Sequence, residues 1–234
     1  SSVTLELDGG LGPGVNTVSF QRATAPVVAS LQAFAGVSFA GAAVGKIFTN
    51  IQNLTGSNQA DVLGGKDSEN NLLLGGQGND TLLATTGNDT LDGGTGTDRV
   101  DFSKLAGTQS FTIALDAVGD ALVTWGTSNT AQLRSIEEIL VGAGHDSITG
   151  DNLNDWFVGG AGNDTLNGAG GQDTLDGGSG TDNLLGGVGN DSLLGGDGND
   201  NLQGERSANN WLTRGMVGML LLLLAGGTVV LVRQ

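Results

Sequence analysis

The chain has no cysteine and no tyrosine, two prolines, one histidine, and nine lysines and arginines in 234 residues. Each scarcity removes a class of function. Without cysteine there is no disulfide, no thiolate nucleophile and no cysteine-based zinc site, a composition compatible with export in unfolded form. A single histidine, His145, allows neither an HExxH zinc motif nor a pair of histidine ligands. The nine basic residues face twenty-five acidic ones, a formal charge of −16 that repels nucleic acid and anionic lipid headgroups and favours cations. Seven Phe and three Trp are few for a conventional packed globule of this length. The opening "SSVTLELDGG" has no Met, no basic run and no apolar run. It is therefore not read as a signal peptide, and the chain reads as part of a longer polypeptide.

What the sequence has is glycine, 43 residues of it, without the three-residue period of collagen. Stepping by nine from Gly159 gives GGAGNDTLN, GAGGQDTLD, GGSGTDNLL, GGVGNDSLL and GGDGNDNLQ. Run backwards, the same register gives GDNLNDWFV and VGAGHDSIT, which lose glycines but keep Asp155 and Asp146 in the sixth slot. An earlier array, GGQGNDTLL, ATTGNDTLD and GGTGTDRVD, starts at Gly75. GSNQADVLG from Gly56 is a degenerate unit, and after one extra residue, Gly65, KDSENNLLL has Asn71 where Asp is expected. The division expected is a strand-rich spacer at 1–55, a first repeat block at 56–101, a second spacer at 102–140, a second block at 141–212 and an apolar tail at 213–234. The two spacers match in outline: Phe20 answers Phe102, TNIQNL answers RSIEEI, and Asp61 answers Asp146. RSIEEIL itself reads as a short helix or a β edge segment, with nothing functional resting on it.

Glycine in the first, second and fourth slots permits positive φ and removes side chains, so the backbone turns tightly with its carbonyls inward. The three residues after the Asp, with Leu or Ile in the middle, form a short strand burying one apolar side chain. Each unit is a turn plus a strand and makes half a coil, so units eighteen residues apart stack. The fold expected is all-β, a parallel β-roll or β-solenoid. Stacking puts Asp164 over Asp182, Asp173 over Asp191 and Asp182 over Asp200. Carboxylates that close repel by roughly 4 kcal/mol per pair at an effective dielectric near 20. A cation must neutralise them, and Ca²⁺, which takes about six to eight oxygens, suits carboxylate pairs plus inward carbonyls better than Mg²⁺ does. The candidate ligands are Asp80, Asp89, Asp98, Asp146, Asp155, Asp164, Asp173, Asp182, Asp191 and Asp200. With them go the turn carbonyls of Gly76, Gly78, Gly160, Gly162, Gly178, Gly180, Gly187, Gly189, Gly196 and Gly198.

The pattern G-G-x-G-x-D-x-U-x resembles the RTX, or hemolysin-type, calcium-binding repeat. It does so well over residues 141–203 and 75–101, and loosely over 56–74. The resemblance implies a parallel β-roll with several Ca²⁺ ions between turns, export through type I secretion machinery, and an extracellular or cell-surface location. ATTGNDTLD lacks the leading glycines, and Asn71 and Asn210 replace Asp, so ions near those turns should bind weakly or not at all.

The competing readings are blander. A sixth-slot Asp could serve an Asx turn, but Asn or Ser would do as well, and Asp fills that slot in all ten of the better units. The fifth-slot Asn79, Asn163, Asn190 and Asn199 suit turn formation, and His145 suits an exposed turn position. Trp125, Trp156 and Trp211 are scattered, which fits local packing rather than a sugar platform. Ten equivalent carboxylates in a ladder favour ion binding over one acid and one base, and no catalytic constellation is legible. An enzyme-associated module of a secreted protease, lipase or alginate epimerase, or a piece of an adhesin, are the rivals, which sequence outside this chain would separate. The tail "MVGMLLLLLAGGTVVLV" is either a marginal membrane span flanked by Arg214 and Arg233 or the product of a frame slip. Read one base back, its codons are able to encode Gly at slot four and Asp at slot six of the repeat; the nucleotide sequence decides, and the membrane is a partner only if the anchor is real.

Overall fold

The computed structural model describes residues 6–8, 15–32, 51–105, 107–126 and 128–204. The tail, Asn210, Trp211 and the end of the second block therefore lie outside the described residues. Among the described residues there is no helix. The strands are β1 Glu6–Asp8, β2 Thr17–Ser19, β3 Val28–Ser30, β4 Asn53–Thr55, β5 Val62–Gly64, β6 Leu72–Gln77 and β7 Thr81–Leu83. Then come β8 Asn88–Thr95, β9 Arg99–Asp101, β10 Thr112–Ala114, β11 Ala121–Trp125, β12 Asn129–Arg134, β13 Glu138–Leu140 and β14 Ser147–Thr149. The series ends with β15 Trp156–Ala161, β16 Thr165–Asn167, β17 Thr174–Gly180, β18 Asn183–Leu185, β19 Ser192–Gly198 and β20 Asn201–Gln203.

The nine-residue period produces two walls. One is a single parallel sheet in the order β19-β17-β15-β13-β9-β7-β5-β3, which runs through both arrays without a break. The other is split between β1-β2-β4-β6-β8-β12-β11 and β10-β14-β16-β18-β20. Successive half coils alternate walls, so strands one full coil apart pair in parallel: Thr165 lies beside Asn183 and Asn183 beside Asn201, eighteen residues per step. The extra Gly65 is absorbed by a nineteen-residue step on each wall, Leu54 beside Leu73 and Leu63 beside Leu82. This is a parallel β-roll.

Between the walls the middle residue of each three-residue strand forms the core. Leu54, Leu73, Leu91 and Leu133 point in from one side and Leu63, Leu82, Val100, Ile139, Phe157 and Leu175 from the other, all buried. The core is one side chain deep per coil, which is why so few aromatics suffice. At the spacer Phe102, Phe111 and Trp125 cluster, with ring centroids 4.9 to 5.7 Å apart. Trp125 is thus a packing residue, and half-exposed Trp156 lies under the Arg99 guanidinium at 4.6 Å.

The spacers do repeat one unit. Phe20 N–H donates to Thr55 O and Phe102 N–H to Leu140 O, both at 2.8 Å. Asp61 Oδ1 accepts the Val27 N–H and Asp146 Oδ1 the Phe111 N–H, both at 2.7 Å. The two copies nevertheless occupy opposite walls, because an odd number of half coils separates β2 from β9. RSIEEIL is neither helix nor edge: it contributes β13, which lies between β9 and β15 inside the longest sheet.

Candidate metal centre

Each sixth-slot Asp precedes a core strand, except Asp89 inside β8, so stacking the strands stacks the carboxylates in two rows, one along the edge of each wall. The spacing of the row is set by a specific rung. Asp146 N–H donates to Asp164 Oδ1 at 2.8 Å, Asp164 N–H to Asp182 Oδ1 at 2.8 Å and Asp182 N–H to Asp200 Oδ1 at 3.0 Å. On the other row Asp80 N–H donates to Asp98 Oδ1 at 2.7 Å, Asp155 N–H to Asp173 Oδ1 at 3.0 Å and Asp173 N–H to Asp191 Oδ1 at 3.2 Å. One oxygen of each accepting carboxylate, on Asp98, Asp164, Asp173, Asp182, Asp191 and Asp200, is thereby fixed to the preceding coil.

The second oxygen of most of them has no protein partner. Oδ2 of Asp80, Asp98, Asp146, Asp164, Asp173, Asp182 and Asp191 is buried and accepts no hydrogen bond. Leaving a buried carboxylate oxygen unpaired costs at least roughly 1 to 3 kcal/mol. Four of them, on Asp80, Asp98, Asp173 and Asp191, lie along one row and three, on Asp146, Asp164 and Asp182, along the other. Burial, and then the neighbouring carboxylates, push Asp80 and Asp155 up to about 7. Burial likewise raises Asp89, Asp98, Asp146 and Asp173 to about 6, and raises Asp164 and Asp182.

The glycines divide their work differently from the expectation. Slots two and four have positive φ, for example Gly160 at 96° and Gly162 at 139°. Slot one does not; its glycine is required by space. A Cβ on Gly177 would sit 2.5 Å from Asp182 Oδ2 and 2.7 Å from the Gly195 carbonyl oxygen. The slot-one backbone thus forms the floor under the unpaired oxygen. Slot-two and slot-four carbonyls lie against the next coil: Gly160 O would be 2.0 Å from a Cβ on Gly178, and Gly162 O 1.6 Å from one on Gly180. They are directed along the stack rather than simply inward. The same holds for Gly76 and Gly78 under Gly94 and Gly96, and for Gly178 and Gly180 under Gly196 and Gly198.

Degenerate turns satisfy their carboxylates internally. The Thr85 hydroxyl donates to Asp89 Oδ2 at 2.9 Å, and Ser57 N–H and hydroxyl both donate to Asp61. Asn71 accepts the Lys66 N–H and donates to the Gln52 carbonyl. Asp155 Oδ2 accepts the Asp151 N–H, and Asp191 and Asp200 are only partly buried. Fifth-slot residues form a rung of their own: Asn163 Oδ1 accepts the Thr181 N–H, and exposed His145 accepts the Asn163 N–H through Nδ1. Sequence reasoning missed two acids. Glu137 accepts the Asp98 N–H and so fills an Asp position in the row, and Asp151 sits buried in slot two with Oδ2 unpaired. Their signal was acidity at repeat positions, hidden by the broken register.

Among the described residues no three His, Asp or Glu side chains already converge on one point. What the turns offer is all oxygen, buried carboxylate oxygens beside backbone carbonyls, the hard donor type that calcium takes. Among known proteins, no curated sequence matches the chain. The family model of the RTX calcium-binding nonapeptide repeat (4 copies) matches residues 74–103, 149–184 and 176–210. The chain carries RTX repeats in both arrays and is a calcium-binding repeat module with several Ca²⁺ sites.

Proposed function

We propose that this chain, built around RTX calcium-binding nonapeptide repeats, is a module of an exported bacterial protein whose folding is triggered by calcium after export. The observation carrying this reading is the row of buried Oδ2 atoms that no protein group satisfies. In low calcium those carboxylates repel one another and the glycine-rich chain gains too little from its one-residue-deep core to stay folded. Outside the cell, calcium neutralises the rows, and its binding free energy becomes folding free energy. The unfolded form suits passage through a type I secretion channel, the partner this reading adds to the ion itself.

The ten sixth-slot aspartates are the side-chain ligands in this reading, with slot-two and slot-four carbonyls completing the shells. Asp80, Asp98, Asp146, Asp164, Asp173 and Asp182 carry most of the affinity, because their free oxygens are enclosed. Asp89 contributes least, since Thr85 already occupies its second oxygen. The module stabilises a larger extracellular protein and performs no catalysis itself; the blocks at 56–101 and 141–212 bind calcium and the spacers couple them. Far-UV circular dichroism during a calcium titration, reversed with EDTA, tests this. Sheet signal should appear with calcium and vanish with chelation. A fully folded spectrum in EDTA at neutral pH overturns the reading.

A further inference from the structure

The unit GAGGQDTLD departs from its neighbours in slot two, where Ala169 stands in place of glycine. The turn keeps its conformation all the same: Ala169 has a φ of 71°, in the left-handed region that a residue with a side chain rarely enters. The residue two before it supports the turn. Asn167, the last of β16, accepts the Ala169 N–H through Oδ1 at 3.2 Å, an Asx turn at the strand end. Between them Gly168 has no room for a side chain, since a Cβ there would lie 2.1 Å from Asp173 Oδ2 and 2.7 Å from the Gly186 carbonyl oxygen. The local demands of this turn therefore put asparagine directly before glycine, and it is the one Asn–Gly pair in the 234-residue chain.

In an unfolded chain such a pair reacts with itself, because glycine puts no side chain in the way of its nitrogen and lets the backbone bend toward the preceding side chain. The Gly168 nitrogen bonds to Cγ of Asn167, the nitrogen's proton and the side-chain NH₂ leave as ammonia, and a succinimide ring closes. Water opens the ring at one carbonyl to give aspartate, or at the other to give isoaspartate. The folded roll blocks the first step. Gly168 N–H donates to Leu185 O at 2.9 Å, and Asn167 O accepts the Gly150 N–H at 2.8 Å, so both ends of the reacting peptide bond are rungs of the ladder. Asn167 is held in register between Thr149 and Leu185 on the strands either side. Reaching Cγ requires the nitrogen to leave those rungs, which needs local or global opening.

We propose that Asn167–Gly168 is a deamidation site guarded by folding: it reacts while the chain is metal-free and unfolded, and is shut once the roll forms. This rests on the calcium-folding reading above. The isoaspartyl product does not fit the roll. It routes the main chain through the former side chain, which adds one methylene between slot nine and slot one, breaks the register shared with Thr149 and Leu185, and displaces Gly168 from beside the Asp173 carboxylate. The site thereby limits how long a chain stays unfolded and still able to fold.

The test ages the full chain at neutral pH in EDTA, in saturating calcium, and in calcium with enough urea to unfold it, with circular dichroism recorded on each sample. Peptide mapping by mass spectrometry follows residue 167, and ammonia release gives a second readout to which the chain's Asp–Gly pairs do not contribute. Conversion of Asn167 should be about tenfold or more slower in calcium than in EDTA, and urea should restore the fast rate although calcium is present. Asn167→Gln should abolish the early ammonia release in EDTA, where folding is not required. When aged chains are returned to calcium, those with isoaspartate at 167 should stay in the unfolded fraction. Equal conversion in EDTA and in calcium, for a chain that calcium folds, overturns the proposal and leaves the wider reading standing. Isoaspartyl chains that refold like fresh ones overturn it too. A chain that calcium does not fold overturns both.

Discussion

Acid should fold the metal-free protein. In the folded chain Asp80 and Asp155 are pushed up to about 7, and Asp89, Asp98, Asp146 and Asp173 to about 6, from 3.8. A folded-state pKa above the unfolded value contributes stability that is complete below pH 3.8 and is lost as pH rises through 6 to 7. A carboxyl moved from 3.8 to 6 loses about 3 kcal/mol across that window, roughly half of it between pH 5 and pH 7. Six such groups together lose roughly 5 to 10 kcal/mol over those two pH units, the range allowing for repulsion shared between neighbours in a row. That is comparable with the whole stability of a typical domain, about 5 to 15 kcal/mol. The chain in EDTA should therefore show sheet signal and a measurable urea transition near pH 5, and lose both near pH 7. Calcium at pH 7 should restore them. Equal urea midpoints at pH 5 and pH 7 in EDTA would refute the premise that buried, self-repelling carboxylates hold the apo chain unfolded.

Asp182→Ala should raise the calcium midpoint of folding about tenfold, roughly 1.4 kcal/mol, because it removes an enclosed free oxygen and the acceptor of the Asp164 N–H. Asp89→Ala should change that midpoint less, within about threefold, less than 1 kcal/mol, since Thr85 rather than an ion meets its second oxygen; equal midpoints in paired titrations would count against this. Gly177→Ala places a methyl 2.5 Å from Asp182 Oδ2 and should cost about 1 to 3 kcal/mol in calcium, whereas Gly204→Ala, with nothing within 4 Å, should be neutral by thermal melting. Magnesium at the same concentration as calcium should leave the circular dichroism spectrum close to that in EDTA, because Mg²⁺ demands near-ideal octahedral geometry and gives up its water reluctantly.

The period of nine was enough to place most of the fold. Leu166 and Leu184 fell inside, Asp164 stacked on Asp182, and the spacers appeared as one unit used twice, because each of these follows from repetition alone. What escaped were consequences of three-dimensional closure. That slot-one glycine is demanded by the free oxygen of its own Asp, and not by φ, emerges only once Gly177 and Asp182 are seen together. That Asp61 and Asp146 are equivalent yet lie on opposite walls depends on counting half coils across spacers whose lengths differ. Glu137 was illegible because the hairpin of β11 and β12 breaks the register, and a glutamate has to reach one methylene further to make the rung an aspartate makes elsewhere. The paired Thr85 and Asp89 were equally illegible: the unit scans like its neighbours, yet the Thr85 hydroxyl donates to the carboxylate oxygen that stays unpaired in most of them.

Anomalous diffraction from a crystal of this chain grown in calcium tests the central claim most directly. The account predicts calcium peaks along both edges of the roll, each about 2.3 to 2.6 Å from its ligands, among them Oδ2 of Asp80 and Asp98 on one row and of Asp146, Asp164 and Asp182 on the other. A folded roll in saturating calcium whose buried Oδ2 atoms carry no such peaks would contradict it.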